Sequence, residues 1–163
     1  MTLRTTKNDL AGSVRSRMVS LLNGRLADLI DLTLHAKQAH WNVRGPNFIS
    51  LHELFDKVHA DARGWVDLTA ERVAQLGGLA AGTLSQVSGA TQLPAYPKDA
   101  VAERTHVEAL AASVAAVSQN LRAAVGQAEE SRDAATADLF TEILRGSDES
   151  LWMLEAHLDN GEA

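Results

Sequence analysis

The chain has 163 residues, a formal charge of −6 and 45% hydrophobic residues, which suits one globular domain with its own core. Cysteine is absent, which excludes disulfides and thiolate metal sites, and the negative charge disfavours nonspecific nucleic-acid binding while favouring cations. The first ten residues lack the apolar core of a signal peptide, and no long apolar run follows. We therefore expect a cytoplasmic protein that does not span a membrane.

Hydrophobic periodicity predicts four long helices. The first covers about residues 12–43 and ends before the breaker RGPN, and the second covers about 47–76 and ends before two glycines. A connection over 77–98 holds four glycines and two prolines, with a short helix predicted at TLSQVSG. Asp99 is the expected N-cap of the third helix, which ends near residue 127, and the fourth covers about 133–158.

Four long helices without a strand signal predict an all-α, ferritin-like four-helix bundle, with the short extra helix in the connection between helices two and three. Helices two and three can lie parallel only if the chain between them crosses along the outside of the bundle. The long connection allows such a crossover. We expect one domain over residues 1–163, with the first ten residues and the last five flexible.

The second helix carries two pairs of metal-binding side chains on one side. His52 and Asp56 are four residues apart, as are Asp67 and Glu71, so each pair can converge on one ion. The two pairs cannot meet on one straight helix, because about 16.5 Å of helical rise separates Asp56 from Asp67.

A two-fold axis removes this obstacle. If the helix packs antiparallel against a copy of itself, with the axis between Asp61 and Ala62, His52 faces the position of residue 71, and Asp56 faces that of residue 67. The spacing therefore predicts two equivalent sites in a symmetric dimer, each with ligands from both chains.

Folding back at the turn near residues 45–46 adds His40 as a fifth ligand, level with His52. Two imidazoles and three carboxylates without sulfur favour iron, and the same ligands accept zinc. The other interpretation is an ordinary solvated helix face, since acidic and histidine pairs at this spacing are common. The symmetric spacing together with His40 favours the metal site.

A di-iron centre inside the bundle is the alternative location. It needs two Glu-x-x-His motifs, and the sequence offers only Glu103 with His106, which we expect to be surface residues. The remaining histidines lack enough partners and are interpreted as surface or packed residues: His35 (near Asp31), His59 and His157.

Residues 31–78 contain KQAHWN, HELFD and DLTAERVAQLGG, and closely resemble the Dps family, the DNA-binding proteins from starved cells. LPAYP, TADLF and SLWMLEAHL extend the resemblance over nearly the whole chain. The five predicted ligands match the family's ferroxidase ligands: His40, His52, Asp56, Asp67 and Glu71.

The resemblance implies a bacterial homododecamer, a hollow shell built from two-fold dimers. Ferrous iron would be oxidised at the interfacial sites, preferentially by hydrogen peroxide, and stored as ferric mineral in the cavity, which protects the cell and its DNA from oxidative stress. Lys37 resembles a family lysine that pairs with the ligand at Asp56. Trp41 and Trp152 match aromatic residues near the centre, for which core packing is the preferred role over quenching of oxidants.

Two further expectations concern iron entry and DNA. Asp133, Asp138 and Glu142 resemble the acidic lining of the family's three-fold pores. The chain has only two basic residues among its first ten and ends in acidic HLDNGEA, so we expect weak or absent DNA binding, although association with the nucleoid would suit the family. The alternative function is a nonenzymatic, nucleoid-compacting protein whose interfacial acids and histidines are only structural.

Overall fold

The computed structural model describes residues 3–159, and this part of the chain is helical without a sheet. The predicted all-α bundle is confirmed, including the short helix in the long connection. None of the described helices is long and apolar enough to cross a bilayer. The five helices are α1 (Gly12–Asn42), α2 (Phe48–Gln75), α3 (Leu84–Ala90), α4 (Glu103–Glu130) and α5 (Ala134–Glu155).

The helices form two hairpins, α1 with α2 and α4 with α5. The backbone N–H of Arg44, just after α1, donates to the carbonyl of Val101, just before α4, at 3.0 Å. At the opposite end, Arg72 of α2 pairs with Asp133, the N-cap of α5, at 2.8 Å. Helices α2 and α4 therefore begin at the same end and run parallel, and the connection between them crosses the outside of α1, where α3 packs.

The core lies along the bundle axis and contains aliphatic and aromatic side chains from all four long helices. Burying each large side chain contributes about 1.5–3 kcal/mol relative to leaving it in water. The largest fully buried side chains are Met18, Leu22, Leu26, Leu29, Leu32, Leu51, Phe55, Leu76, Leu110, Leu121, Phe140 and Ile143.

The side chain of Asp28 binds the crossover connection to the bundle through hydrogen bonds. This buried carboxylate accepts from the backbone N–H of Gln92 at 2.8 Å and from the side chain of Asn120 on α4 at 3.1 Å, and Arg25 lies 3.2 Å away. Burial raises the pKa of Asp28, and these partners partly offset that effect. One side chain thus joins α1, α4 and the connection.

The predicted N-cap of α4 is wrong. Asp99 is exposed and does not cap α4, which begins at Glu103 after Ala102. A backbone bridge between Arg44 and Ala102, with a hydrogen bond from the N–H of Arg44 to the carbonyl of Val101, keeps the chain extended beyond Asp99, and this long-range contact outweighs the local preference for an N-cap.

The tryptophans near the predicted site do not pack in the core of the subunit. Trp41 is 70% exposed and Trp152 is 67% exposed, which corrects the core-packing role preferred for each. Helical periodicity identifies an apolar face, but it does not say whether the face meets the chain's own core or another surface.

The segment before α1 packs against the end of α2, unlike the flexible tail expected there. The backbone N–H of Arg4 donates to the carbonyl of Gly77 at 2.9 Å, and its guanidinium donates to the carbonyl of Ala74, also at 2.9 Å. Leu3 and Leu10 pack against the core. Residues 1–2 and 160–163, which include most of the predicted flexible C-terminus, lie outside the described residues.

Candidate metal centre

Two histidines meet beside the turn that joins α1 and α2. His40 lies in the last turn of α1, and His52 lies near the start of α2. Their rings stack with centroids 3.6 Å apart and planes inclined by 22°. The Nδ1 atom of His40 is 2.9 Å from the carbonyl oxygen of His52, and the Nδ1 atom of His52 is 2.9 Å from the carbonyl oxygen of His40. The hairpin therefore brings together the two imidazoles that the sequence predicted.

These reciprocal hydrogen bonds determine which nitrogen of each ring is available. A carbonyl oxygen only accepts, so each Nδ1 must carry the proton that it donates. In a neutral imidazole the other nitrogen, Nε2, then keeps its lone pair, which is the form that binds a metal ion. Hydrogen bonds of this kind also hold a metal-binding ring in a fixed orientation. His40 and His52 are therefore in the tautomer that a metal site requires.

Asp56 lies one turn beyond His52 and is paired with a cation. The ammonium group of Lys37 on α1 donates a hydrogen bond to its carboxylate. This bond lowers the pKa of Asp56, with smaller contributions from nearby charged groups, so the side chain remains an anion at neutral pH. The predicted contact with Lys37 is present, and a metal ion at Asp56 would compete with this ammonium.

Asp67 and Glu71 lie on the same helix, well beyond Asp56. Both are exposed. Asp67 borders a cavity of about 420 Å³ beside Arg63, and Glu71 borders one of about 230 Å³ between α2 and α5. Within residues 3–159 of one chain, no three His, Cys, Asp or Glu side chains converge as a metal site. The subunit thus holds two separate groups of predicted ligands.

Exposed large apolar side chains lie next to the predicted ligands in the chain. Trp41 follows His40 in the chain, and Leu68, which is 40% exposed, follows Asp67. Phe48 and Ile49, at the start of α2, are also exposed. Large apolar side chains grouped on a surface commonly mark a protein interface.

Comparison with known proteins identifies the family. The family model described as a ferritin-like domain matches residues 19–163. A DNA protection during starvation protein from Agrobacterium fabrum is 45% identical over 97% of this chain and 98% of its own length. The chain belongs to the Dps family.

Solved Dps structures show the same fold. DpsA14 from Streptomyces coelicolor has a TM-score of 0.92 at 35% identity, and the match covers 100% of this chain and 97% of that one. Dps from Microbacterium arborescens, in its high iron form, has a TM-score of 0.86 at 33% identity over 95% and 99% of the two chains. The predicted ferritin-like fold and the resemblance to Dps are both confirmed.

The acidic residues expected at an iron-entry pore of this Dps chain have different environments. Asp133 is buried and bonded to Arg72, and it accepts from the backbone N–H of Thr136 at 3.1 Å as the N-cap of α5. Its carboxylate is thus engaged inside the subunit, which argues against a pore lining there. Asp138 and Glu142 are exposed and border the same cavity as Glu71.

Glu103 and His106 are not free surface residues, which corrects the expectation for both. The carboxylate of Glu103 accepts from the backbone N–H of Asn47 at 2.6 Å. His106 is fully buried, and its Nδ1 lies 2.8 Å from the hydroxyl of Tyr96. Helical spacing could have shown the burial of His106, because Leu110 follows it by one turn on the apolar face of α4.

The other histidines are packed or exposed, as predicted. His35 is buried and lies 3.0 Å from the hydroxyl of Ser113 and 3.5 Å from the carboxylate of Asp31. His59 is half-buried, with its Nδ1 3.1 Å from the carbonyl of Thr33.

Proposed function

We propose that this Dps protein is a ferroxidase that oxidises Fe(II), preferentially with hydrogen peroxide, and stores the Fe(III) product inside a shell of twelve subunits. The observation that carries the proposal is the reciprocal bonding of His40 and His52, which leaves two Nε2 lone pairs beside Asp56. Dps relatives named for DNA protection and for a high iron form support the same activity. We place the protein in the bacterial cytoplasm.

The complete centre in this proposal combines two chains. One subunit provides His40, His52 and Asp56, and its two-fold partner provides Asp67 and Glu71. The exposed apolar side chains that accompany both groups support an interface there. The imidazoles provide neutral nitrogen ligands, whereas the carboxylates provide the hard oxygen ligands and negative charge that suit ferric iron.

The chemistry assigned to the centre transfers two electrons together. Two Fe(II) ions each lose one electron, and hydrogen peroxide with two protons becomes two water molecules. Because the O–O bond receives both electrons, no hydroxyl radical is released. The protein's part is to place the ligands, to leave the Nε2 atoms unprotonated, and to let Lys37 move from Asp56 as the iron binds. Iron storage and protection of DNA from oxidants follow from the same reaction.

Iron entry and DNA contact complete the proposal. Asp138 and Glu142 remain the candidates for a carboxylate-lined entrance, because both are exposed and a ring of carboxylates concentrates cations. Twelve chains of formal charge −6 carry −72, so we propose weak or absent DNA binding rather than nucleoid compaction.

Coassembly of two inactive variants tests the shared centre. One variant carries His52→Ala with Asp56→Ala, and the other carries Asp67→Ala with Glu71→Ala. Each alone should lose ferroxidase activity, because every site lacks one group of ligands. A mixed dimer has one complete site, so random coassembly of equal amounts should restore about a quarter of the wild-type sites. Peroxide-dependent Fe(II) oxidation is followed by absorbance.

The matched control is Glu53→Ala, which removes an exposed carboxylate beside His52 that is not a proposed ligand. This variant should keep wild-type activity. Mixed shells of confirmed mass that remain as inactive as their parents would rule out a centre shared between chains. Full activity in either parent would remove its substituted residues from the centre.

A further inference from the structure

The start of α4 holds the turn that joins the two histidine-bearing helices. Glu103, in the first turn of α4, accepts from the backbone N–H of Asn47 at 2.6 Å with Oε1. Its other oxygen, Oε2, accepts from the side-chain amide of Asn47 at 3.2 Å. Two residues earlier in the chain, Val101 accepts from the backbone N–H of Arg44 at 3.0 Å. Both ends of the turn are therefore bonded to the same short stretch.

Gly45, in the middle of this turn, lies directly against the Glu103 side chain. A Cβ atom at Gly45 would lie 2.6 Å from Oε1 of Glu103, which is closer than real Cβ contacts allow. Glycine is thus the residue that lets the carboxylate reach Asn47. The close approach shows that the turn and the Glu103 carboxylate are packed as one unit.

Asn47 occupies the N-cap position of α2 but makes no side-chain capping bond. Asparagine in this position usually accepts from the second or third backbone N–H of its own helix. Here its amide is directed to Glu103 instead. The Asn47 side chain therefore joins α2 to α4 and does not cap its own helix.

The position of this turn determines how His40 meets His52. The reciprocal bonds between the two residues require one particular alignment of α1 against α2. The turn joins the two helices that carry these residues. A shift of Asn47 relative to Arg44 would therefore displace α2 along α1, and His52 would no longer lie level with His40. Each imidazole would then lose the carbonyl that selects its tautomer and orientation.

We propose that Glu103 is a positioning residue for the metal centre: it fixes the turn through Asn47 and thereby keeps both Nε2 atoms aimed at the metal. This inference rests on the proposed function for its metal-binding consequence. Its structural consequence, the alignment of the two rings, is independent of iron.

Four variants of the assembled protein test this role, with Co²⁺ as the probe and with Fe(II) oxidation as a second readout. Glu103→Ala should weaken Co²⁺ binding about tenfold, at the lower end of the effect of residues that orient metal ligands, and should change its visible absorption. Asn47→Ala loses only the side-chain bond and should weaken binding about threefold, in proportion to the smaller loss of support. Glu103→Gln keeps an amide oxygen that can accept from the backbone N–H of Asn47, but its amide nitrogen cannot accept from the Asn47 side chain, so it should weaken Co²⁺ binding only about threefold, like Asn47→Ala.

Glu108→Ala is the matched control, since it removes another acid of the same helix, which pairs with Arg104 at 2.7 Å and does not contact the turn. It should bind Co²⁺ like wild type. All titrations are made well below the melting temperature of each variant. A purely structural role for Glu103 would lower the melting temperature and leave Co²⁺ affinity and absorption unchanged, which would overturn the proposal.

A crystal structure of the metal-free Glu103→Ala protein separates this inference from the proposed function. The reciprocal hydrogen bonds between His40 and His52 should be lengthened or lost, and unchanged bonds would overturn the positioning role. If Glu103→Ala does not assemble, the same comparison on Asn47→Ala decides, and wild-type bonds with wild-type Co²⁺ affinity would refute the inference. Failure of the wild-type protein to bind Co²⁺ at these histidines would instead count against the proposed function.

Discussion

At the scale of single residues, the interior of the bundle contains two histidines that burial keeps neutral. His106 is fully buried, and its Nδ1 atom lies 2.8 Å from the hydroxyl of Tyr96. Burial lowers the pKa of His106, and the carbonyl of Ala100 offsets this only in part. Burial likewise lowers the pKa of His35, although Asp31 opposes the shift. Protonation of either histidine therefore lowers the free energy of unfolding.

The sign of the resulting pH effect follows from proton linkage. An unfolded histidine titrates near about 6.5, whereas His106 in the folded chain titrates below that value. Below pH about 6.5 the unfolded chain therefore binds a proton that the folded chain does not, so stability falls as the pH falls towards the folded pKa. Each such histidine contributes at most about 1.4 kcal/mol per pH unit.

We therefore expect His106→Gln to have a flatter dependence of melting temperature on pH between 7.5 and 5.5 than wild type, whatever its stability at pH 7.5. His157→Gln, at an exposed position after α5, is the control and should follow the wild-type curve. The measurement is thermal unfolding followed by circular dichroism. Parallel curves for His106→Gln and wild type would show that His106 does not contribute to acid sensitivity.

At the scale of helices and turns, the end of α2 depends on a glycine with an unusual backbone. Gly77 has φ of +87°, and a Cβ there would lie 2.9 Å from the carbonyl oxygen of Arg4. The N-terminal segment can pack against α2 only because this position has no side chain. Gly126 in α4 is the opposite case, since a Cβ there would meet nothing within 4 Å.

These two glycines predict opposite results for the same substitution. Gly77→Ala should destabilise the protein by about 1–3 kcal/mol, because alanine is strained at positive φ and would press on Arg4. Gly126→Ala should stabilise it by about 0.5–1 kcal/mol through the better helix propensity of alanine. Melting temperatures measure both, at about 2–4 °C per kcal/mol for a chain of this size. Equal shifts of the same sign would contradict the structural distinction between the two positions.

The same scale shows what the sequence could predict. Periodicity located all four long helices, and the glycines and prolines located the crossover, because these signals are local. The predicted start of α4 was wrong because the hydrogen bond between Arg44 and Val101 is a contact between distant parts of the chain. The role of Glu103 was missed for the same reason, since nothing near it in the sequence indicates that it reaches Asn47.

The proposed ligand residues were chosen from spacing and resemblance and stay a prediction, and the structure brings His40, His52 and Asp56 to one end of the α1–α2 hairpin. The partial burial and tautomer of the two imidazoles were not predictable, because they depend on two backbone carbonyls that carry no sequence signal. The sharing of the centre with Asp67 and Glu71 stays a prediction.

At the scale of the whole molecule, charge and the docked N-terminal segment determine the expectation for DNA. A free basic tail would provide phosphate contacts, but the guanidinium of Arg4 is bonded to the carbonyl of Ala74 at the end of α2. Lys7 is the other basic residue among the first ten. The proposed shell of twelve chains, each of formal charge −6, would repel a polyanion.

Supercoiled plasmid should therefore migrate at its free position in a gel shift with the assembled protein at about 150 mM salt, where phosphate contacts are already weakened. The same mixture in low salt provides the comparison, because any residual electrostatic binding would be strongest there. Retention of plasmid in the well at the higher salt would contradict the expectation and favour a nucleoid-compacting role.

On the proposed function, the separation of the two groups of predicted ligands would determine when the protein becomes redox-active. One folded subunit has no three His, Asp or Glu side chains, within its described residues, that could hold an ion. If the centre is shared, a newly synthesised monomer cannot oxidise iron, and activity begins only when two chains pair. On the proposed function, catalysis would then start at the same step that begins to build the compartment for its insoluble product. Such a division of ligands would prevent ferric precipitation on unassembled chains.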